Sequence, residues 1–170
     1  MECKAVEKWL MAARVIVTAA FVLWVLFIWH NSVETAEVSS QRSGVVTEIV
    51  NEVLNAVGQE PVTEHFVRKL AHFTEYGVEG VLTVLLFVLY YLRPVKRLGL
   101  SILTGLMTAT VDESIQFFSA GRAPGILDVC IDMVGFICGM LGMSAVCLLI
   151  GKAPWRRWAQ KRNRRKSSVR

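Results

Sequence analysis

The chain has 170 residues, of which 54% are hydrophobic, and a mean hydropathy of +0.45. That apolar share exceeds the ~45–50% of soluble domains and points to a bilayer rather than to a soluble globular protein. The formal net charge of +5 and the pI near 9.2 would suit nucleic acid, but the placement of the charges argues against that partner.

Crossing a hydrocarbon core ~30 Å thick takes roughly 20 helical residues. The first span is predicted over about 10–29. Val15 to Trp29 carries no charge, and Arg14 can snorkel to the interface. A cleaved signal peptide is the rival reading, but Trp24 and Trp29 suit interfacial anchors and no clean A-x-A site follows.

A polar stretch of roughly 37 residues comes next. Val45, Val46, Ile49, Val50, Val53, Leu54 and Val57 recur at helical spacing within it, which predicts a short amphipathic helix. Ser43 is its expected N-cap and Gly58 its C′ residue. Such a helix can lie flat on the membrane or cover the bundle.

The second span is predicted over about 67–92, ended by Arg93-Pro94. The third is predicted over about 98–118, and the turn Ser119 to Gly125 then reverses the chain into a fourth over about 126–150. The four cysteines, Cys3, Cys130, Cys138 and Cys147, form no CxxC pair and indicate neither a disulfide framework nor a zinc site. Residues 151–170 read as a basic tail, disordered beyond Arg162, with Trp155 and Trp158 marking the inner interface.

Fifteen of the nineteen Lys and Arg residues fall in the N-terminal stretch, the loop after the second span and the tail. The long first loop holds only Arg42 against six glutamates. The positive-inside rule then predicts a multi-pass protein of the cell membrane with both termini cytoplasmic. The tail is expected to touch anionic lipid, and no nucleic acid is expected. The fold class is thus an all-α integral membrane protein: a four-transmembrane-helix bundle (residues 1–150) with an extracellular amphipathic helix between its first two spans.

Acidic residues inside membrane helices are costly, at ~2.5–3.5 kcal/mol each on insertion scales. Here they gather. On the second span His65, Arg68, His72, Glu75 and Glu79 fall within an arc of about 80°. On the third, Thr108, Asp112 and Gln116 share a face with Glu113 beside it; on the fourth, Asp128 and Asp132 are one turn apart. His72, Glu75, Asp112, Glu113, Asp128 and Asp132 are expected within ~5–15 Å of the outer surface. Gly135 and Gly139 continue the fourth helix's polar face and permit close approach. Hydrogen-bonding glue within the bundle would use one or two carboxylates. Six, beside Arg68, Lys69 and Arg122, predict a single outward-opening pocket in which some acids are protonated or a cation is bound. Arg122 is expected to bridge to Asp128 or Asp132.

The run Arg68-Lys69-Leu70-Ala71-His72-Phe73-Thr74-Glu75-Tyr76-Gly77 resembles the Lys-x-x-His-x-x-Glu-Tyr signature of VanZ-like proteins. Asp112-Glu113-x-x-Gln116, Gly121-Arg122 and Asp128-x-x-x-Asp132-x-x-Gly135 resemble the second signature, and Asn31-Ser32 is similar to the family's first loop. The resemblance covers roughly residues 10 to 150. Family members often carry a histidine directly after the Asp-Glu pair, where this chain has Ser114. The founding member is associated with resistance to the glycopeptide teicoplanin in Gram-positive bacteria, and the resemblance implies a membrane fold and a motif site more than an activity.

Three functions compete. In the first, the site binds a lipid or cell-wall precursor headgroup, through Arg68, Lys69, Tyr76, Gln116, Arg122, Asp128 and Asp132. In the second, the chain is an intramembrane enzyme with His72, Glu75, Asp112 and Glu113 as catalytic residues, His72 acting as base and Glu75 orienting it. Asp112, Glu113, Asp128 and Asp132 would then hold a divalent cation through oxygen. Lys-x6-Arg-Pro and Pro-Ser-Gly-His patterns of lipid phosphatases are absent. The third, a transporter or proton relay, lacks inverted repeats. A homo-oligomer is compatible with the small-residue face.

Overall fold

A computed structural model describes residues 2–123 and 125–150, with side chains from residue 5 onward. The expectations for the tail 151–170, including Trp155 and Trp158, lie outside these residues, as does Pro124 of the turn.

Five helices account for the described chain: α1 (Glu2–Val33), α2 (Ala36–Ala56), α3 (Glu64–Leu89), α4 (Pro94–Phe117) and α5 (Ile126–Ile150). Three are long and apolar enough to cross a membrane: Ala5–Val33 of α1, then α3 and α5. α4 has the length, 24 residues or ~36 Å. Its threonines and its two acids at Asp112 and Glu113 dilute its apolar content.

α1, α3, α4 and α5 pack together, and α2 rests on α3. The closest pairing is α3 with α5. Glycines explain it. A Cβ on Gly135 would collide with the Phe73 carbonyl, and one on Gly139 with the Gly77 carbonyl. Backbone therefore meets backbone, as the small-residue face predicted.

The interior is more polar than the surface. Ile28, Tyr76, Val84, Ala109, Phe136 and Met140 form the apolar core. Beside them lie buried Ser32, Glu79, Thr83, Thr108, Asp112, Glu113, Gln116 and Asp132. Leu23, Leu103, Met107, Leu127, Leu141 and Leu149 are exposed. That inversion suits a chain whose solvent is lipid.

Several boundaries differ from expectation. α1 continues to Val33, past the apolar run, because Asn31 and Ser32 find partners inside the bundle. Trp24 and Trp29 turn inward: their indole N–H groups donate to the carbonyls of Glu75 and Thr108. α2 starts well before Ser43, because Thr35 is the N-cap and accepts from the Val38 N–H. Gly58 is the expected C′ residue at φ +72, and Gln59 N–H to Leu54 O completes a Schellman motif. Pro94 does not end α3; it opens α4. α3 stops at Leu89 through Tyr91, at φ 58, whose N–H reaches Val88 O. Arg14 holds this turn, donating to Leu89 O at 3.0 Å and lying over the rings of Tyr90 and Tyr91.

A helix does form over the periodic stretch, as α2, but it buries no residue. Val38, Val45, Val46, Ile49 and Val53 remain exposed, at 57% for Ile49, and Val50 is half-buried.

Candidate functional site

The C-terminal ends of α1 and α4 and the N-terminal ends of α3 and α5 lie together, and here the acidic residues converge. Asp112 of α4 and Asp132 of α5 are 0% and 1% exposed. His72 of α3 completes a triangle with them, with one donor atom of each residue within 4.8 Å of the others.

Each carboxylate is placed by a different element. Ser32 Oγ donates to Asp112 Oδ1, and Gln116 Nε2 donates to Asp112 Oδ2 at 3.1 Å. His72 Nδ1 faces Asp132 Oδ1 at 3.5 Å. Asp132 has no hydrogen-bond partner on either oxygen. Glu75 Oε1 accepts from Asn31 Nδ2 at 3.1 Å. The expected pairing of His72 with Glu75 is therefore corrected: the carboxylate beside the imidazole comes from α5. Two residues one turn apart on α3 diverge enough for different helices to claim each.

Glu113 Oε2 accepts from the Gly125 N–H at 3.0 Å, which ties α4 to the entry of α5. Asp128, half-exposed, lies 3.5 Å from Lys69 Nζ. Tyr76, a candidate ligand residue, belongs instead to the core: it is 0% exposed and its hydroxyl is unpartnered. Glu79 lies one turn deeper, equally buried, with neither oxygen hydrogen-bonded.

Arg122 does not bridge to Asp128 or Asp132. Nε donates to Glu34 O, Nη2 to Asn31 O and Nη1 to Gln116 Oε1. The open carbonyls at the end of α1 carry the negative end of its dipole and draw the guanidinium. Burial, reinforced by the Arg68 charge, pushes the Arg122 pKa below its ordinary value. One N–H on each terminal nitrogen stays unused.

A cavity of about 320 Å³ opens among these groups, lined by His65, Arg68, Lys69, His72, Arg122 and Asp132, with Asp128, Glu113 and Gln116 on its walls. That volume is at the small end for ligand sites. An apolar crevice of about 360 Å³ between α3 and α5 adjoins it, sharing Lys69 and Ile131.

Sequence reasoning missed Ser32, Asn31 and His65 as site residues. The signal for the first two was their helical phase: they continue α1 by one turn past its apolar run. His65 was in the α3 arc but was not singled out. Ser114, where relatives often have histidine, is exposed and donates to Thr110 O, away from the triangle.

The sequence matches the family model described as VanZ/LLP1 over residues 17–150. No curated protein and no solved structure matches the chain.

Proposed function

This chain belongs to the VanZ/LLP1 family, and from that premise we propose that it binds the anionic headgroup of an envelope lipid or lipid-linked cell-wall precursor. The observation that carries this reading is the junction of a cation-walled polar cavity with an apolar crevice. Arg68, Lys69 and the free N–H groups of Arg122 suit a phosphate or carboxylate, and charge-assisted hydrogen bonds are the strong ones. The crevice along Phe73, Leu127 and Val134 suits an acyl chain. A soluble ligand would use the cavity alone.

In this reading α4 crosses the bilayer with the other three long helices. The bias of basic residues then places both termini in the cytoplasm and opens the cavity outward. With a cell-wall precursor as ligand, the protein would contribute to glycopeptide resistance of the teicoplanin type. The same cavity supports a second reading, an intramembrane enzyme, through His72 standing beside Asp132 at 3.5 Å.

Native mass spectrometry of the full chain tests binding. Phosphatidylglycerol is expected to bind at least tenfold tighter than phosphatidylcholine of the same chains, and inorganic phosphate only weakly. Arg68→Gln should remove most of the preference, since a hydrogen bond to a charged group contributes ~1.5–3 kcal/mol. Equal binding of the two lipids, or a preference unchanged by Arg68→Gln, would contradict the proposal.

A further inference from the structure

The floor of the cavity has an electrostatic problem that its mouth does not solve. Asp112 and Asp132 bring two carboxylates into a buried space, and buried charge requires a partner. Lys69 faces Asp128, and Arg122 faces the end of α1, so neither is directed at these two carboxylates. His72 is the nearest cationic candidate, yet an imidazolium there would offset only one of the two charges. Neither oxygen of Asp132 accepts a hydrogen bond in the structure.

We propose that His72, Asp112 and Asp132 form a binding site for one divalent transition-metal ion. Three different helices, α3, α4 and α5, deliver the three donors to one point. An ion ~2.1 Å from each of three donors sets them ~3.4–3.6 Å apart, so side-chain movements of up to ~0.7 Å per donor close the observed triangle. One divalent charge neutralises both carboxylates. The donor set, one imidazole and two carboxylates, selects a manganese-, iron- or zinc-type ion over magnesium or calcium, which prefer all-oxygen cages.

The surroundings are those of a ligand set. Ser32 and Gln116 each donate to one oxygen of Asp112, fixing its orientation while leaving each oxygen a free lone pair. Asp132 accepts no hydrogen bond on either oxygen and faces His72 across 3.5 Å. His72 and Asp132 also line the cavity, which supplies an entry path. Three protein donors leave a coordination position open toward the cavity, as in metal sites that engage a bound molecule. An anionic oxygen of the ligand would fill it. This ion differs from the all-carboxylate site suggested by sequence: Glu113 and Asp128 are engaged elsewhere, and His72 takes their place.

Ion binding requires none of the mouth cations, so this proposal and the headgroup reading can fail separately. The test uses chelator-stripped full chain in detergent, titrated with Mn²⁺ and followed by electron paramagnetic resonance. One ion per chain is expected, weakened at least tenfold in Asp112→Asn, Asp132→Asn and His72→Ala. Ser32→Ala, which removes a positioning hydrogen bond, should weaken it by ~10-fold. Glu48→Gln, on exposed α2, should leave it unchanged. The wild-type protein also gives a readout independent of any variant: spin-echo modulation from one imidazole nitrogen. Manganese bound without nitrogen modulation, or bound equally by wild type and the three ligand variants, overturns the site.

Discussion

Arg14 and Arg122 each donate to the carbonyls that end a helix, but at opposite ends of the molecule. Arg14 reaches Leu89 O at the close of α3 and lies over two tyrosine rings. Arg122 reaches Asn31 O and Glu34 O beyond the apolar run of α1 and lines a cavity walled with acids and bases. Satisfying helix-end carbonyls in a poorly solvated setting is a requirement of the fold, and an arginine there is no evidence of a site. What separates the two ends is the company. Arg14's own partners are the Leu89 carbonyl and the rings of Tyr90 and Tyr91. At the Arg122 end, Asp132 and Glu113 keep buried carboxylate oxygens without partners, whereas Glu79 lies mid-bundle and the unpartnered Ser101 hydroxyl lies toward the other end. Unpartnered carboxylate oxygens beside a cavity, rather than charge as such, distinguish the candidate end.

The largest expected effect falls on both ends at once. Gly139→Leu drives a side chain into the Gly77 carbonyl and forces α3 from α5. A loss of about 3 kcal/mol or more, or failure to fold, is expected, and thermal unfolding in detergent measures it. A stable Gly139→Leu protein would mean that the close α3/α5 crossing is dispensable.

The two arginines then separate the ends. Arg122→Ala removes three hydrogen bonds and should cost about 2–3 kcal/mol, with phosphatidylglycerol binding lost as well. Arg14→Ala removes one hydrogen bond and two ring contacts and should cost about 1 kcal/mol, with lipid binding intact. If Arg14→Ala impaired lipid binding as much as Arg122→Ala, the contrast between the ends would collapse.

Much of this was legible in the sequence. Hydropathy located the apolar cores of α1, α3 and α5, and the glycine spacing on α5 signalled a close helix approach without saying that α3 is the partner. The arc on α3 and the Asp112 and Asp132 faces located the polar end. Partner choice was not legible. His72 lies one turn from Glu75 in sequence, but which carboxylate it meets depends on how α5 crosses α3. Arg122 follows Gly121 in a turn, and nothing local reveals that the end of α1 competes for it. The start of α2 was missed because Thr35 caps it across a polar stretch whose periodicity becomes visible only from Val45.

The central claim is that one end of the bundle is a ligand site open to the outside, while the other is closed and cytoplasmic. Impermeant maleimide labelling of intact cells tests it, in a version whose four native cysteines are replaced by alanine. Ala123→Cys stands at the cavity, and Lys96→Cys is exposed at the start of α4. The account predicts that Ala123→Cys is labelled in intact cells, while Lys96→Cys is labelled only after permeabilisation. Labelling of Lys96→Cys from outside, with Ala123→Cys protected until the membrane is breached, would contradict it.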